Sequence, residues 1–309
     1  MIRIMFMGTP EFARVVLDGL ISKYEVCAVV TKIDKERDRK GNYIYSKVKT
    51  LALEKNIPVL QPKKIKEEID LVLSYQPDLI ITCAYGQIIP KEILDYPKYG
   101  AINVHGSLLP KYRGGAPIQH AIMNGDKETG ITIMYMNELM DAGDIISTKS
   151  IPILDSDDCG TLFEKLSIVG RDLLLETIPS IINGTNKRIK QNEEDVTYAS
   201  VITKEDEHIN LDKSSLEIKN LIRALSPKPG AYLLLDGKRI KIYKVQVIDK
   251  EYTGKIGEIV DIEVDGIIFK TKDKALKIIE LQIEGKNKTL AKDYLNGIKK
   301  EELIKKILV

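Results

Sequence analysis

The chain has 309 residues, 43% hydrophobic and 30% charged, with 47 Lys plus Arg against 45 Asp plus Glu for a net charge of +2. That composition fits one large or two ordinary globular domains and does not by itself imply a polyanion partner, although a local basic face stays open. No apolar run approaches the ~20 residues that cross a bilayer, no leader-like start is visible, and Cys27, Cys83 and Cys159 are too scattered for a disulfide framework or a zinc site; a cytoplasmic chain with no membrane partner and no metal is expected.

Ile2–Met7 reads as an apolar strand ended by Gly8-Thr9-Pro10. Pro10 suits the first turn of a helix and Thr9 can cap it. Phe12, Val15, Val16, Leu20 and Ile21 then recur at helical spacing, and Tyr24–Thr31 is a second strand. Strand, helix, strand predicts a parallel sheet. The first turn lacks G-x-G-x-x-G, so a dinucleotide site is not expected. Residues 32–46 form a long polar loop in which Lys32, Lys35, Arg37, Arg39 and Lys40 mix with Asp34, Glu36 and Asp38. Such a loop is either a solvated connection or a functional insertion. Lys47–Lys55 reads as a helix, Ile57–Leu60 as a short strand and Ile65–Tyr75 as an amphipathic helix. Leu79–Ala84 is a strand apolar on both faces, followed by the loop Tyr85–Pro90.

From Ala101 to Asp144 the pattern becomes strand, turn, glycine-containing loop, short helix, strand and acidic loop. Ala101, Asn103 and His105 alternate with Ile102 and Val104, so Asn103 and His105 project from one face near the strand's carboxyl end. An isolated strand histidine is more often a satisfied core residue than a catalyst. An asparagine two positions away shifts that balance, because both carry polar groups that must be satisfied if buried. Open α/β sheets place their chemistry at strand carboxyl ends, and Asp141, in the loop after the next strand, could reach the pair. His120 and His208 have no such company.

Gly160–Ile182 reads as a helix closing a first domain, and the polar stretch after it, with Lys187, Arg188 and Lys190, as a solvated linker. Glu217–Leu225 is a short helix. Ala231–Leu235, Lys238–Val247, Gly257–Val260, Ile267–Thr271 and Ala275–Leu281 read as short strands with turns such as Asp236-Gly237. They predict a small barrel of the oligonucleotide-binding type. The expected domains are residues 1–185, a linker 186–204, and the barrel 205–309. From residue 205 onward there are 21 Lys plus Arg and 18 Asp plus Glu, a slight basic excess.

Four features occur together: Asn103-x-His105, Ser107-Leu108-Leu109-Pro110, Arg113-Gly114-Gly115-Ala116-Pro117 and Asp141-Ala-Gly-Asp144. In combination they resemble the signature of the folate-dependent formyltransferases. The start IRIMFMGTPEFA and the stretch Ile222–Tyr232 are similar to the branch that acts on methionyl-tRNA, and the resemblance covers nearly the whole chain. It implies a Rossmann-like, mostly parallel sheet with helices on both faces, then an OB-like β-barrel that holds tRNA. It implies formyl transfer from 10-formyltetrahydrofolate, as co-substrate, to the α-amine of methionyl initiator tRNA. Asn103, His105 and Asp141 are then the catalytic residues. Ser107, Leu108, Leu109, Pro110 and Ile88 line the folate site, and Arg39 and Lys40, in the loop equivalent to the family's basic insertion, meet the tRNA. This loop departs from the family's usual proline- and glycine-rich form. The resemblance implies no metal, and a monomer is expected. A sugar-nucleotide N-formyltransferase using the same donor is the alternative enzyme. An RNA-binding protein without catalysis is opposed by the intact Asn103, His105 and Asp141, and a glycinamide ribonucleotide formyltransferase by the hundred or so residues that follow the first domain.

Overall fold

The structure, a computed structural model, describes residues 2–35, 37 and 40–309. In chain order the elements are β1 (Arg3–Gly8), α1 (Glu11–Ile21), β2 (Glu25–Val30), α2 (Lys47–Glu54), β3 (Val59–Leu60), α3 (Ile69–Leu73), β4 (Leu79–Cys83), α4 (Lys91–Asp95), β5 (Ala101–His105), β6 (Arg113–Gly114), α5 (Pro117–Met123), β7 (Glu128–Tyr135), β8 (Ile145–Pro152), α6 (Cys159–Ile182) and β9 (Tyr198–Ala199). They continue with α7 (Ser215–Ala224), β10 (Ala231–Leu235), β11 (Lys238–Ile248), β12 (Ile259–Glu263), β13 (Gly266–Lys270), β14 (Ala275–Ile283), β15 (Thr289–Leu290) and α8 (Ala291–Leu295). Two compact units result. The first comprises the chain up to Pro117, Glu128–Pro152 and Phe163–Ser200; the second comprises Ile118–Lys127, Ile153–Leu162 and Val201–Val309.

The first unit is built on a seven-stranded sheet ordered β3-β2-β1-β4-β5-β7-β8. The first five strands run parallel, and β7 and β8 are antiparallel. Alternation divides the apolar residues between two faces. On one, Phe12 of α1 meets Phe163 of α6 edge-on at 6.1 Å, and Gly170 of α6 lies against Val104 and Ile131. On the other, Met5, Met7, Ile80 and Ala101 form a core with Ile65, Val72, Ile93 and Leu94 from α3, α4 and the turn before α3. Asn103 and His105 follow Ala101 on this second face. The sheet and its two helix layers are those expected.

Two local expectations are corrected. Pro10, not Thr9, is the N-cap of α1 and it makes no side-chain cap. Thr9 instead accepts hydrogen bonds from the Thr31 hydroxyl and the Lys32 N–H, both at 3.3 Å, tying the ends of β1 and β2. The single helix expected over 65–75 is a 3-10 turn, Ile65–Glu67, followed by the short α3. The break is at Glu68, whose backbone leaves the helical region while its carboxylate turns back to accept the Lys63 N–H at 3.1 Å.

The second unit is a six-stranded sheet with β10-β11-β14-β13-β12 in order and β15 on β14. Asp236 and Gly237 both have positive φ, as the tight β10–β11 hairpin requires. The tail closes the sheet into a barrel. Val309 exchanges two backbone hydrogen bonds with Leu234 of β10, while Lys305, Lys306 and Leu308 bond to Ile259 and Gly257 at β12. Both edges are thereby paired. Phe269, Leu276, Ile278 and Leu233 fill the interior, with Ile218 and Ile222 of α7 packed on it. The two earlier segments of this unit are held by it too: Met123 packs on that core, Gly160 N donates to the Ser226 carbonyl at 3.1 Å, and Arg223 donates to the Leu154 carbonyl at 3.1 Å.

Candidate active site

The carboxyl ends of β4 and β5 lie side by side, with Thr82 paired to Asn103. β-Branched Thr82 suits a strand, yet its hydroxyl is buried and must find a partner. It donates to Oδ1 of Asn103 at 2.8 Å. The Asp141 carboxylate, which can only accept, stands 3.4 Å from Nδ2, so the donating end of the amide faces it and Oδ1 is the end left for Thr82.

His105 is buried at the last position of β5. Its Nε2 lies 2.9 Å from the carbonyl oxygen of Tyr112, which can only accept, so Nε2 carries the hydrogen. The Nδ1 nitrogen is therefore the one left to gain or lose a proton, and it faces Oδ2 of Asp141 at 3.6 Å. Tyr112 comes back over the histidine because the chain folds tightly after β5: the Ser107 hydroxyl donates to the Lys111 carbonyl at 2.6 Å, and Thr132 of β7 bridges the Ser107 carbonyl and the Leu109 N–H.

Asp141 reaches the pair from the loop between β7 and β8. It has positive φ, +50°, unusual for a residue with a side chain. Its environment holds it there. Oδ2 accepts the Gly114 N–H at 2.9 Å, and Nε2 of Gln191 donates to the carbonyls of both Asp141 and Gly143, each at 2.8 Å. Oε1 of Gln191 in turn accepts from Nε of Arg113 at 3.0 Å. The Arg113 side chain is only 3% exposed and makes two further bonds to the Glu193 carboxylate, at 2.8 and 3.3 Å. The hydrogen bonds from Arg113 hold the Glu193 carboxyl below its ordinary value. Next to Asp144, whose carboxylate it meets at 3.3 Å, Arg188 lies over the Tyr135 ring at 4.1 Å.

A half-buried amide donor, an imidazole with one nitrogen free of the backbone and a carboxylate thus converge on one point at the sheet's carboxyl edge. Such a set can stabilise an oxyanion and move one proton. Over residues 2–178 the sequence matches the model of the family described as formyl transferase, and over 201–299 that of the formyl transferase C-terminal domain.

The chain belongs to the formyl transferase family.

It is 50% identical to the methionyl-tRNA formyltransferase of Lactobacillus gasseri over 297 residues, 95% of each chain. It is 45% identical to that of Staphylococcus aureus over 311 residues, 100% of both. The N-formyltransferase from Helicobacter canadensis, solved with folinic acid and dTDP-3-aminofucose, shares the fold at a TM-score of 0.67, with 24% identity over 90% of this chain and 98% of that one.

Within this formyl transferase the residues expected at the folate site divide. Ser107 and Leu109 are buried and engaged internally, Leu109 in a cluster with Met134 and Ile145. Leu108 and Pro110 are partly exposed, and Ile88 is 89% exposed in the loop after β4. Beside it, Tyr85 is buried with its hydroxyl unpartnered, and burial, with a smaller push from Glu68, raises its phenol to about 12. Lys40 is exposed at a turn in the loop after β2, and Arg39 lies outside the described residues. The base of that loop is anchored by Lys49, which pairs with Asp34 and donates to Gln61 at 2.7 Å. Among the described residues no group of three or more His, Cys, Asp or Glu is placed to hold a metal ion, and no helix is long and apolar enough to cross a membrane. Thr82, Gln191, Arg113 and Glu193 were not among the expected site residues.

Proposed function

We propose that this chain transfers the formyl group of 10-formyltetrahydrofolate to the α-amine of methionine carried by initiator tRNA, the reaction that starts translation with formylmethionine. The observation that carries this reading is the convergence of Asn103, His105 and Asp141 at 3.4 and 3.6 Å in a chain alignable end to end with methionyl-tRNA formyltransferases. The neutral amine attacks the formyl carbon directly, and no covalent enzyme intermediate is needed. The carbonyl oxygen becomes an oxyanion, which Nδ2 of Asn103 meets as a fixed donor; such a donor is worth about 10²–10³ in rate. Nδ1 of His105, beside Asp141, handles the proton that leaves the attacking nitrogen. As the new C–N bond forms and the old one breaks, that proton ends on N10 of tetrahydrofolate. Ile88, Leu108 and Pro110 offer surface to the folate, with Ser107 and Leu109 shaping the loop beneath.

The RNA falls to the loop that carries Arg39 and Lys40 and to the barrel. On the barrel, Arg239 covers the Tyr232 ring at 4.1 Å, His208 stacks on the same ring at 5.1 Å, and Lys288 lies 5.1 Å from the Tyr243 ring. Cations interleaved with aromatic faces suit a nucleic-acid strand. We read the enzyme as a cytoplasmic monomer.

The test supplies 10-formyltetrahydrofolate with either methionyl initiator tRNA or a dTDP-amino sugar and follows release of tetrahydrofolate. Turnover with the RNA, falling as salt displaces phosphate contacts, is the expected result. Turnover with the amino sugar alone would transfer the same chemistry to a sugar-nucleotide acceptor and remove the RNA from the barrel.

A further inference from the structure

Gln191 belongs to a polar stretch that reads as a connection, yet its side chain has no freedom. Its oxygen is committed to Arg113, a guanidinium itself buried and locked bidentately on Glu193. An amide whose oxygen accepts must turn its nitrogen the other way. There it finds the carbonyls of Asp141 and Gly143, both at 2.8 Å. These two residues bracket the turn in which Asp141 holds a left-handed backbone. Such a conformation persists only where the surroundings over-determine it.

We infer that Gln191 is a positioning residue for the formyl transfer: clamped by Arg113 and Glu193, it sets the backbone of the Asp141 turn and so fixes where the Asp141 carboxylate stands relative to Asn103 and His105. Gln191 itself touches none of these side chains and acts only through the turn. The inference rests on the catalytic reading of Asp141 given above. Its energetic logic is that of preorganisation. Displacing a catalytic group by ~1 Å can cost about 10² in rate without touching substrate affinity, and the group that prevents the displacement need not meet the substrate.

Two variants separate positioning from bulk stability. Gln191→Glu keeps the length and the acceptor for Arg113 but replaces the donor with an oxygen facing two carbonyl oxygens. Gln191→Met keeps the volume and removes the donor without adding charge. Each is compared alone and in an Asp141→Asn background, with the fold checked by circular dichroism. The expected result is a kcat lower by about 10² in both single variants, with KM for folate and for RNA within about twofold, and no further loss when either is added to Asp141→Asn. Normal kcat in both variants, a rise in KM with kcat kept, or a loss of equal size in the Asp141→Asn background would each overturn the inference. Normal turnover by Asp141→Asn itself would instead overturn the catalytic reading, and the positioning role with it.

Discussion

Thr82 donates to Oδ1 of Asn103 at 2.8 Å and so holds the amide in the orientation that presents Nδ2 to the Asp141 carboxylate. Without it, the amide is left with the longer 3.4 Å contact to Asp141 and is free to rotate away from the reaction. Valine has the shape of threonine and no hydroxyl. Thr82→Val should therefore fold normally and lose about 10- to 10²-fold in kcat, less than the 10²–10³ expected for removing the Asn103 donor outright. Steady-state kinetics of Thr82→Val beside Asn103→Ala checks it; equal losses in the two would mean that Thr82 does more than orient.

Gly143 leaves no room for a side chain. A Cβ there would overlap the carbonyl oxygen of Tyr135, the last residue of β7, whose N–H donates to the Asp144 carbonyl at 2.9 Å. Gly143→Ala should push the Asp141 turn off its position and lower kcat by about 10², with a modest fall in melting temperature. Near-normal turnover would show that the turn can yield without carrying Asp141 with it.

The cap of α7 gives a pH signature. The backbone N–H and the hydroxyl of Ser214 both donate to Glu217, at 2.9 and 2.7 Å, and the Lys213 ammonium lies 3.2 Å from its other oxygen. Together they hold the carboxyl down to about 2, against an ordinary value of 4.5. A carboxyl depressed in the folded state stabilises fully above its unfolded value, and that contribution fades as pH falls through the folded one. The urea midpoint of the wild type should exceed that of Glu217→Gln above pH 4.5, and the gap should close toward about pH 2. A gap independent of pH would remove the carboxylate from the cap.

The three thiols should be inert in the native chain. All three are buried; burial pushes Cys83 far up, Cys159 up to about 12 with help from Asp158, and Cys27 upward. Alkylation needs the thiolate. Iodoacetamide at mildly alkaline pH should leave native protein unmodified and label three sites after denaturation, read by mass spectrometry. Rapid native labelling of Cys83, at the end of β4, would place an opening beside the site.

The α/β sheet, the strand bearing Asn103 and His105, and the acidic loop were legible because each rests on local periodicity: a polar pair on one face of an otherwise apolar strand stands out within a few residues. The supports of the site did not stand out. Thr82 sits in an apolar run where threonine reads as one more β-branched strand former. Gln191 sits among charged residues, and its partners are 48 and 50 positions away, beyond any local pattern. Arg113 reads as the entry to a glycine loop, and only the tertiary fold buries it against Glu193. The break at Glu68 was also hidden: its carboxylate turns back onto the Lys63 N–H, ahead of the expected helix, a contact that apolar periodicity does not show. Strand β12 begins at Ile259 rather than Gly257 because Gly257 has a φ of +82°, outside the extended region of a strand.

The second unit is assembled from three stretches of chain rather than from one. A single cut after Ser200 therefore does not divide the protein into modules. It would leave α5 and the 153–162 turn in the N-terminal fragment, separated from the barrel core that covers Met123 and from the Ser226 and Arg223 groups that bind Gly160 and Leu154. Expressed alone, residues 1–200 would display that apolar surface to solvent and tend to aggregate. The same segments would let the two fragments recognise each other, so complementation in trans is a more natural outcome for this chain than independent domain expression.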